Sequence, residues 1–430
     1  MLASFLIVSG CAKTGNNPNQ SEIAIWHWMS DRVNELDTLA SQYFDLTGIK
    51  VKFELYAPTS AYTSKIRSAA QADKLPDIYG ILLEMRDFAS FINAGHVYDI
   101  TGYMDENDGQ WRKIFYESAL SMNYFSPNNQ YKVKSGIYGV PIDVNNIQLI
   151  YNIDLLKKAG WDTSKLPSTW DEFMHLAGLL KMAGIKGLVS GWGEIWMIAC
   201  FADNFAWNIM GKEKIIETIK GNVPYTDPAW VRVFELFYEM KQKGMLFPGS
   251  VTMVNKEAEQ IFAIGRAAVA FNGSWGINVY SNMNPDLNYK VSLPPKVNLN
   301  RHMYIWGGTT SFVVNNASEL REESVKFLKW LTEEKQQTYL SQRTDNIPAN
   351  KLSAASLKGP IAEFADDIDN VVHPRFLPVE EYPLVTEAFN KGIQSIMIGE
   401  ATPQEVAERV QARKLKEMKK AERFKAYTSK

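Results

Sequence analysis

The chain has 430 residues, too many for one hydrophobic core, so two lobes or domains are expected. A hydrophobic share of 46%, a charged share of 22% and a formal net charge of −2 fit a globular chain and give no electrostatic footprint for nucleic acid. Past the first ten residues no apolar run approaches the roughly 20 needed to span a bilayer.

The first twenty residues fall into an apolar run that ends in small residues and Cys11, then the polar stretch "AKTGNNPNQS". That is the character of a secretory signal and its processing site followed by a flexible tether. "EIAIWHW" then reads as a strand, with Ile23 and Ile25 on one face and the indoles of Trp26 and Trp28 alternating with His27. "SDRVNELDTLASQYFDLTG" places Val33, Leu36, Leu39, Tyr43 and Leu46 on one helical stripe, with Gly48 where a helix end wants positive φ. "IKVKFELY" alternates Ile49, Val51, Phe53 and Leu55, a half-buried strand, and "LPDIYGIL" is a third strand after a second helix. Strand–helix–strand units at this spacing imply a parallel sheet with helical crossovers.

The same grammar returns after residue 140. "NIQLIYN" reads as a strand and "IDLLKKAGW" as a short helix ended by Gly160. Thr169 and Glu172 stand at capping-box spacing. "AAVAFNGSW" is an apolar strand running into a turn, and Cys200, in "WMIACF", is a small buried hydrophobe. "TSFVVNN" leads into one long helix, "SELREESVKFLKWLTEEKQQTYL", and Thr402, Pro403 and Glu405 open a closing helix. Its Lys/Arg-rich end reads as a solvated face.

Catalytic signatures are missing from the sequence. It holds no G-x-x-x-x-G-K-[ST], G-x-G-x-x-G, H-E-x-x-H or C-x-x-C. "NGSWG" has Asn272 where a nucleophile elbow needs its first glycine, which makes Ser274 a poor nucleophile. The five histidines show no metal-ligand spacing, so neither metal nor cofactor is expected. What the chain has in excess is aromatic surface, 12 Trp among them, more than packing alone tends to need from a ring with one wet end.

Several stretches in order resemble one family. "SGIYGVPIDVNNIQLIYNIDLLKKAGWD", "LPSTWDEF", "IFAIGRAAVAFNGSW", "YIWGGTTSFVVNN" with its helix, and "FNKGIQSIMIGEATPQEVAERVQA" are similar to bacterial extracellular solute-binding proteins of the carbohydrate-uptake, maltodextrin-binding-like type. Val8, Ser9, Gly10 and Cys11 resemble a lipobox, although no Lys or Arg precedes Cys11. The resemblance implies an α/β fold with two lobes of the type II periplasmic-binding kind, each a mostly parallel sheet flanked by helices. The lobes would be residues 21–143 with 306–346 and residues 144–305 with 347–430, after a 1–20 signal and tether. The crossings are expected at Ile142 to Asn145, Met303 to Gly307 and Asn346 to Pro348.

It further implies a receptor without catalytic activity, a monomer lipid-anchored through Cys11 outside the cell, that hands a carbohydrate to the permease of an ABC transporter. Sugar C–H faces stack on flat rings and sugar hydroxyls need polar partners. The candidate ring contacts are Trp28 or His27, Trp192, Trp196, Trp275 and Trp306, with Gly307 admitting close approach; Trp26 is expected to be structural. The polar candidates are Asp77, Glu84, Arg86, Asp143, Asn145, Glu194, Asn272 and Arg343, with Asp345 beside the last. Asn145 stands where a maltodextrin-type protein carries an acidic residue. A peptide, polyamine or phosphorylated solute is the alternative cargo, and a carbohydrate-active enzyme the remaining alternative.

Overall fold

Ile23 and Ile25 are fully buried while Ala24, Trp26 and Trp28 are half-buried, the two-residue period of a strand with one covered face. The structure is a computed structural model that describes residues 22–428 apart from 82–84, 367 and 369, so Cys11 and Glu84 lie outside the described residues. The strands are β1 (Glu22–His27), β2 (Lys50–Leu55), β3 (Ile78–Ile81), β4 (Tyr124–Phe125), β5 (Gly136–Ile137), β6 (Val140–Asn152), β7 (Leu188–Val189), β8 (Val269–Gly273), β9 (Tyr289–Ser292), β10 (Ile305–Val314), β11 (Ile347–Pro348) and β12 (Val371–Val372). β1 pairs in parallel with both β2 and β3, and β7 with β8.

The long strands β6 and β10 are antiparallel to each other and join the two halves. The sheet runs β2-β1-β3-β10-β6-β8-β7, with β9 and β11 on β6 and β12 on β10. At the β1 end the core is built from Ile23, Ile25, Leu36, Leu39, Phe312 and Phe327. At the β8 end it is built from Leu149, Phe173, Trp192, Phe201, Phe237 and Phe271. These are the two lobes. β10 and β11 flank β6: Val144 faces Thr309 of β10 on one side and Ile347 of β11 on the other.

Local signals in the sequence hold at several element ends. Gly48 takes φ 73° and its N–H caps the helix Val33–Thr47 by donating to the Phe44 carbonyl. The Thr169–Glu172 capping box is formed, and Thr402 and Glu405 exchange the same pair of bonds. Leu46 departs from the expected stripe at 69% exposure, because the last turn of its helix, residues 45–48, is exposed all round. The long helix expected after β10 is two, Arg321–Leu331 and Glu334–Thr344. Thr332 ends the first: its hydroxyl donates back to the Leu328 carbonyl at 2.9 Å and accepts the Trp111 indole N–H at 2.9 Å.

Two titratable groups distinguish the lobes. In the β1 lobe, burial, helped by the Arg32 charge, lowers the His27 pKa to about 4. In the other lobe, burial raises the carboxyl of Asp203, on the helix Ile195–Lys220, to about 7.

Candidate functional site

The turn after β8 carries the best-built aromatic feature of the protein. Trp275 folds its ring back over the preceding glycine, so a Cβ at Gly273 would fall 2.2 Å from ring carbons. Its indole N–H donates to Oε1 of Glu259 at 3.1 Å. Glu259 projects from the helix Asn255–Ala263 and is 4% exposed; the same oxygen accepts from Nδ2 of Asn255 at 2.9 Å and Nδ2 of Asn272 at 3.3 Å. Charge-assisted bonds of this kind are the stronger class, so the ring is fixed by its edge.

A second indole is fixed the same way. Trp196 donates its N–H to Oε2 of Glu194 at 2.9 Å, and Oε1 of Glu194 accepts the backbone N–H of Asn255 at 2.9 Å. Asn255 therefore joins the two carboxylates, one through its main chain and one through its side chain. Close approach makes this possible: a Cβ at Gly191 would lie 2.4 Å from the Asn255 backbone. The two rings stand 6.2 Å apart at 49°, and Trp196 is 40% exposed. The result is an inclined pair of indoles held at their edges by acceptors, with ring surface left open.

Of the residues expected from sequence, Glu194, Trp196, Asn272 and Trp275 come together here. Asn272 acts behind the ring: buried, it donates to the Tyr280 hydroxyl at 2.8 Å and accepts from Asn255 at 3.1 Å. Asn255 and Glu259 escaped the sequence reading. Their signal was an Asn and a Glu four residues apart on one face of the helix that precedes β8.

Other expected contacts sit elsewhere. Trp192 is fully buried, stacked on Phe271 at 5.9 Å, so it is core. His27 faces the interior, also fully buried, with Nδ1 accepting from the Met29 N–H at 3.2 Å. Asp77 stands at the amino end of β3, away from the carboxyl ends where ligands gather. There it accepts from the Ala24 N–H and the Ser318 hydroxyl, tying β1 to the turn after β10. Asp143 is buried in β6: it pairs with buried Arg32 at 2.6 Å and accepts the Thr310 N–H at 3.0 Å. Gly307 gives its space to β12, because a Cβ there would meet Val371 at 2.5 Å.

Trp28 is half-buried on Tyr62 at 5.1 Å and presses on Gly80, where a Cβ would meet the ring at 2.4 Å. Trp26 packs on Tyr56 under the Lys65 ammonium, 4.2 Å from each ring. Trp306 keeps a half-exposed ring against His373 at 4.5 Å, and Asn145 lies opposite Gly308 at the crossing. Arg343 is exposed beside Tyr339, and burial raises the pKa of neighbouring Asp345. Arg86 pairs across the molecule with Glu380 at 2.9 Å. A hollow of about 420 Å³ lined by Gln148, Val291, Ser292, Leu293, Glu363 and Asp366 contains neither indole of the pair.

Among the described residues no cluster of His, Cys, Asp or Glu is arranged to hold a metal ion, and no helix is long and apolar enough to cross a membrane. Ser274 is buried and packed under the turn, its N–H bonded to the Asn146 carbonyl at 3.0 Å.

Comparison with known proteins agrees with this architecture. Residues 38–369 match the family described as bacterial extracellular solute-binding protein. Among curated proteins, the sn-glycerol-3-phosphate-binding periplasmic protein of Brucella melitensis is 23% identical over 336 residues, 76% of this chain and 75% of that one. Among solved structures, a chitin oligosaccharide binding protein is similar with a TM-score of 0.74 at 21% identity, over 92% of this chain and 98% of that one. A solute-binding protein of an ABC transporter from Thermotoga lettingae, bound with α-D-tagatose, is similar with a TM-score of 0.72 at 19% identity, over 92% and 98%.

Proposed function

This chain belongs to the family of bacterial extracellular solute-binding proteins, and we propose that its solute is a sugar or oligosaccharide, held between the lobes and passed unaltered to an ABC permease. The observation that carries the cargo is the pair of edge-anchored indoles, Trp196 and Trp275. Ring faces suit the apolar C–H faces of a sugar, and the partly exposed Glu194 beside them suits its hydroxyls. Asn145 and Trp306 are the further residues we assign to the ligand, since each stays partly exposed near the strand ends or crossings. Closure is favoured by contacts made to both lobes at once, so a ligand that touches both sides is captured by hinge motion. Acylation at Cys11 would keep the receptor on the extracellular face of the cytoplasmic membrane, and one copy suffices for binding.

The sn-glycerol-3-phosphate-binding relatives favour a second reading, a phosphorylated solute. A phosphate needs unengaged cations. At the indole pair the fixed charges are Glu194 and Glu259, with Lys256 bonded to the latter at 3.3 Å. Arg32 is committed to Asp143 and Arg86 to Glu380. That balance favours a neutral, hydroxyl-rich ligand.

A thermal-shift screen of residues 21–430 against maltotriose, chitobiose, raffinose, tagatose and sn-glycerol-3-phosphate tests the choice. A cognate sugar at a hundred times its dissociation constant should add about 2.7 kcal/mol of stability. A shift with sn-glycerol-3-phosphate and none with any sugar overturns the cargo. Turnover of a bound oligosaccharide overturns the receptor itself.

A further inference from the structure

Away from the hinge strands, the side chain of Glu380 reaches from lobe to lobe. Glu380 lies in the loop before the helix Pro383–Ile398, in the lobe built on β8. Its Oε2 takes the guanidinium of Arg86 at 2.9 Å, and its Oε1 accepts the phenol of Tyr131. Both partners belong to the other lobe. Arg86 opens the helix Met85–Asn93 just after β3, and Tyr131 packs on Phe125 at 6.2 Å. The contacts span 294 and 249 residues of sequence.

Each side of the contact is braced. Glu381, the next residue, accepts from the buried Lys414 ammonium at 2.7 and 2.8 Å and from the Tyr225 hydroxyl at 2.9 Å. Lys414 also donates to the Ile219 carbonyl at 2.5 Å, and its ammonium stands 5.0 Å over the Tyr382 ring. The loop that carries Glu380 is thus pinned to its own lobe by its neighbour. On the other side, the Tyr131 N–H donates to Asn129 at 3.2 Å and the Tyr131 carbonyl accepts from Asn93 at 3.0 Å. Two rigid anchors meet at one carboxylate, which is 21% exposed.

We propose that Glu380, through Tyr131 and Arg86, is an interlobe clasp that biases the protein toward its closed form. A contact present only when the lobes meet raises the closed population, and a receptor whose competent state is more populated binds its ligand more tightly by the same factor. The phenol–carboxylate bond carries most of the effect. The Arg86 pair, with an arginine side chain 56% exposed, adds little.

The test needs no ligand, so its outcome is independent of the cargo proposed above. Spin labels on Asp37→Cys in one lobe and Met182→Cys in the other, both exposed positions, report the interlobe distance distribution. Removing a hydrogen bond to a charged group is expected to shift the open-to-closed ratio roughly tenfold, so Glu380→Ala should move the distribution toward the open distance. Tyr131→Phe, which removes one hydroxyl and keeps the ring, should shift it in the same direction, and Arg86→Ala least. If the distributions of Glu380→Ala and Tyr131→Phe coincide with that of the parent protein, the clasp does not exist. A shift with Arg86→Ala equal to that with Tyr131→Phe overturns the division of roles.

Discussion

Two pairs of tryptophans, one in each lobe, are fixed in opposite ways. In the β1 lobe, Trp26 has the Lys65 ammonium over its face beside Tyr56, and Trp28 lies tilted on Tyr62 and against Gly80. In the β8 lobe, Trp196 and Trp275 are held by their edges, each indole N–H on a carboxylate. A ring held by its face has spent that surface on the protein. A ring held by its edge is oriented and still has surface to offer, which is how preorganisation lowers the cost of binding. The hold on a ring therefore says more about a ligand contact than its place at a strand end.

The lobes also differ in how protons act on them, and this gives the largest expected effect. His27 has an unperturbed pKa of 6.5 and about 4 when folded, so the unfolded chain binds the proton more tightly. Its contribution is complete above pH 6.5 and is lost as pH falls toward 4, at most about 3 kcal/mol. Asp203 runs the other way: raised from 3.8 to about 7, it favours the fold at low pH and costs stability as pH rises through 7. Denaturant unfolding at pH 4.5 and 7.5 should show Asp203→Asn gaining stability relative to the parent at pH 7.5, and His27→Gln losing less than the parent on acidification. Identical pH profiles for parent and both variants would remove this difference between the lobes.

Next in size are the tryptophans themselves. Trp28→Ala should cost about 3 kcal/mol of stability, the low end for emptying a packed aromatic site because the ring is half-buried, with affinity for a screened sugar little changed. Trp275→Ala should do the reverse, weakening affinity by about 30-fold or more, as for an anchoring ring at an interface, while the melting temperature of the free protein moves little. A large loss of free-protein stability in Trp275→Ala would place that ring with the core instead.

What the sequence made legible was local. The strand period of β1, the Gly48 cap and the Thr169 and Thr402 capping boxes depend on residues a few positions apart, and each is present. The indoles of the pair, Glu194 and Asn272 could be named because a strand end and a turn are visible in sequence. What could not be read was which polar groups pair over distance. Asp143 looks like a ligand contact until Arg32, 111 residues away, is placed beside it. Arg86 looks free until Glu380 reaches it from the other lobe. Trp192 and His27 alternate or cluster with cleft residues in sequence, yet each turns inward, because a strand or a tight turn sends neighbouring side chains to opposite sides.

The smallest effect expected is the sharpest test of the difference between the two pairs, because it adds one methyl group to each. A Cβ at Gly80 would stand 2.4 Å from the Trp28 ring, and one at Gly273 would stand 2.2 Å from the Trp275 ring. Neither glycine has a positive φ, so alanine meets no backbone penalty and only the ring must yield. At Gly80 the ring is backed by Tyr62 and the core, and overpacking there should cost about 1–3 kcal/mol of stability. At Gly273 the ring is half-buried, with the exposed Trp196 ring 6.2 Å away. It can swing outward, but only by loosening the bond from its N–H to Glu259. Gly273→Ala should then leave the melting temperature closer to the parent value than Gly80→Ala does, and lower sugar affinity several-fold, the worth of about one charge-assisted hydrogen bond. Adding Glu259→Gln to Gly273→Ala should cost little more affinity than either change alone, since both act on the same ring. Fully additive losses would mean that Glu259 holds the ligand itself, and the edge-anchored ring would lose its claim to be oriented by that carboxylate.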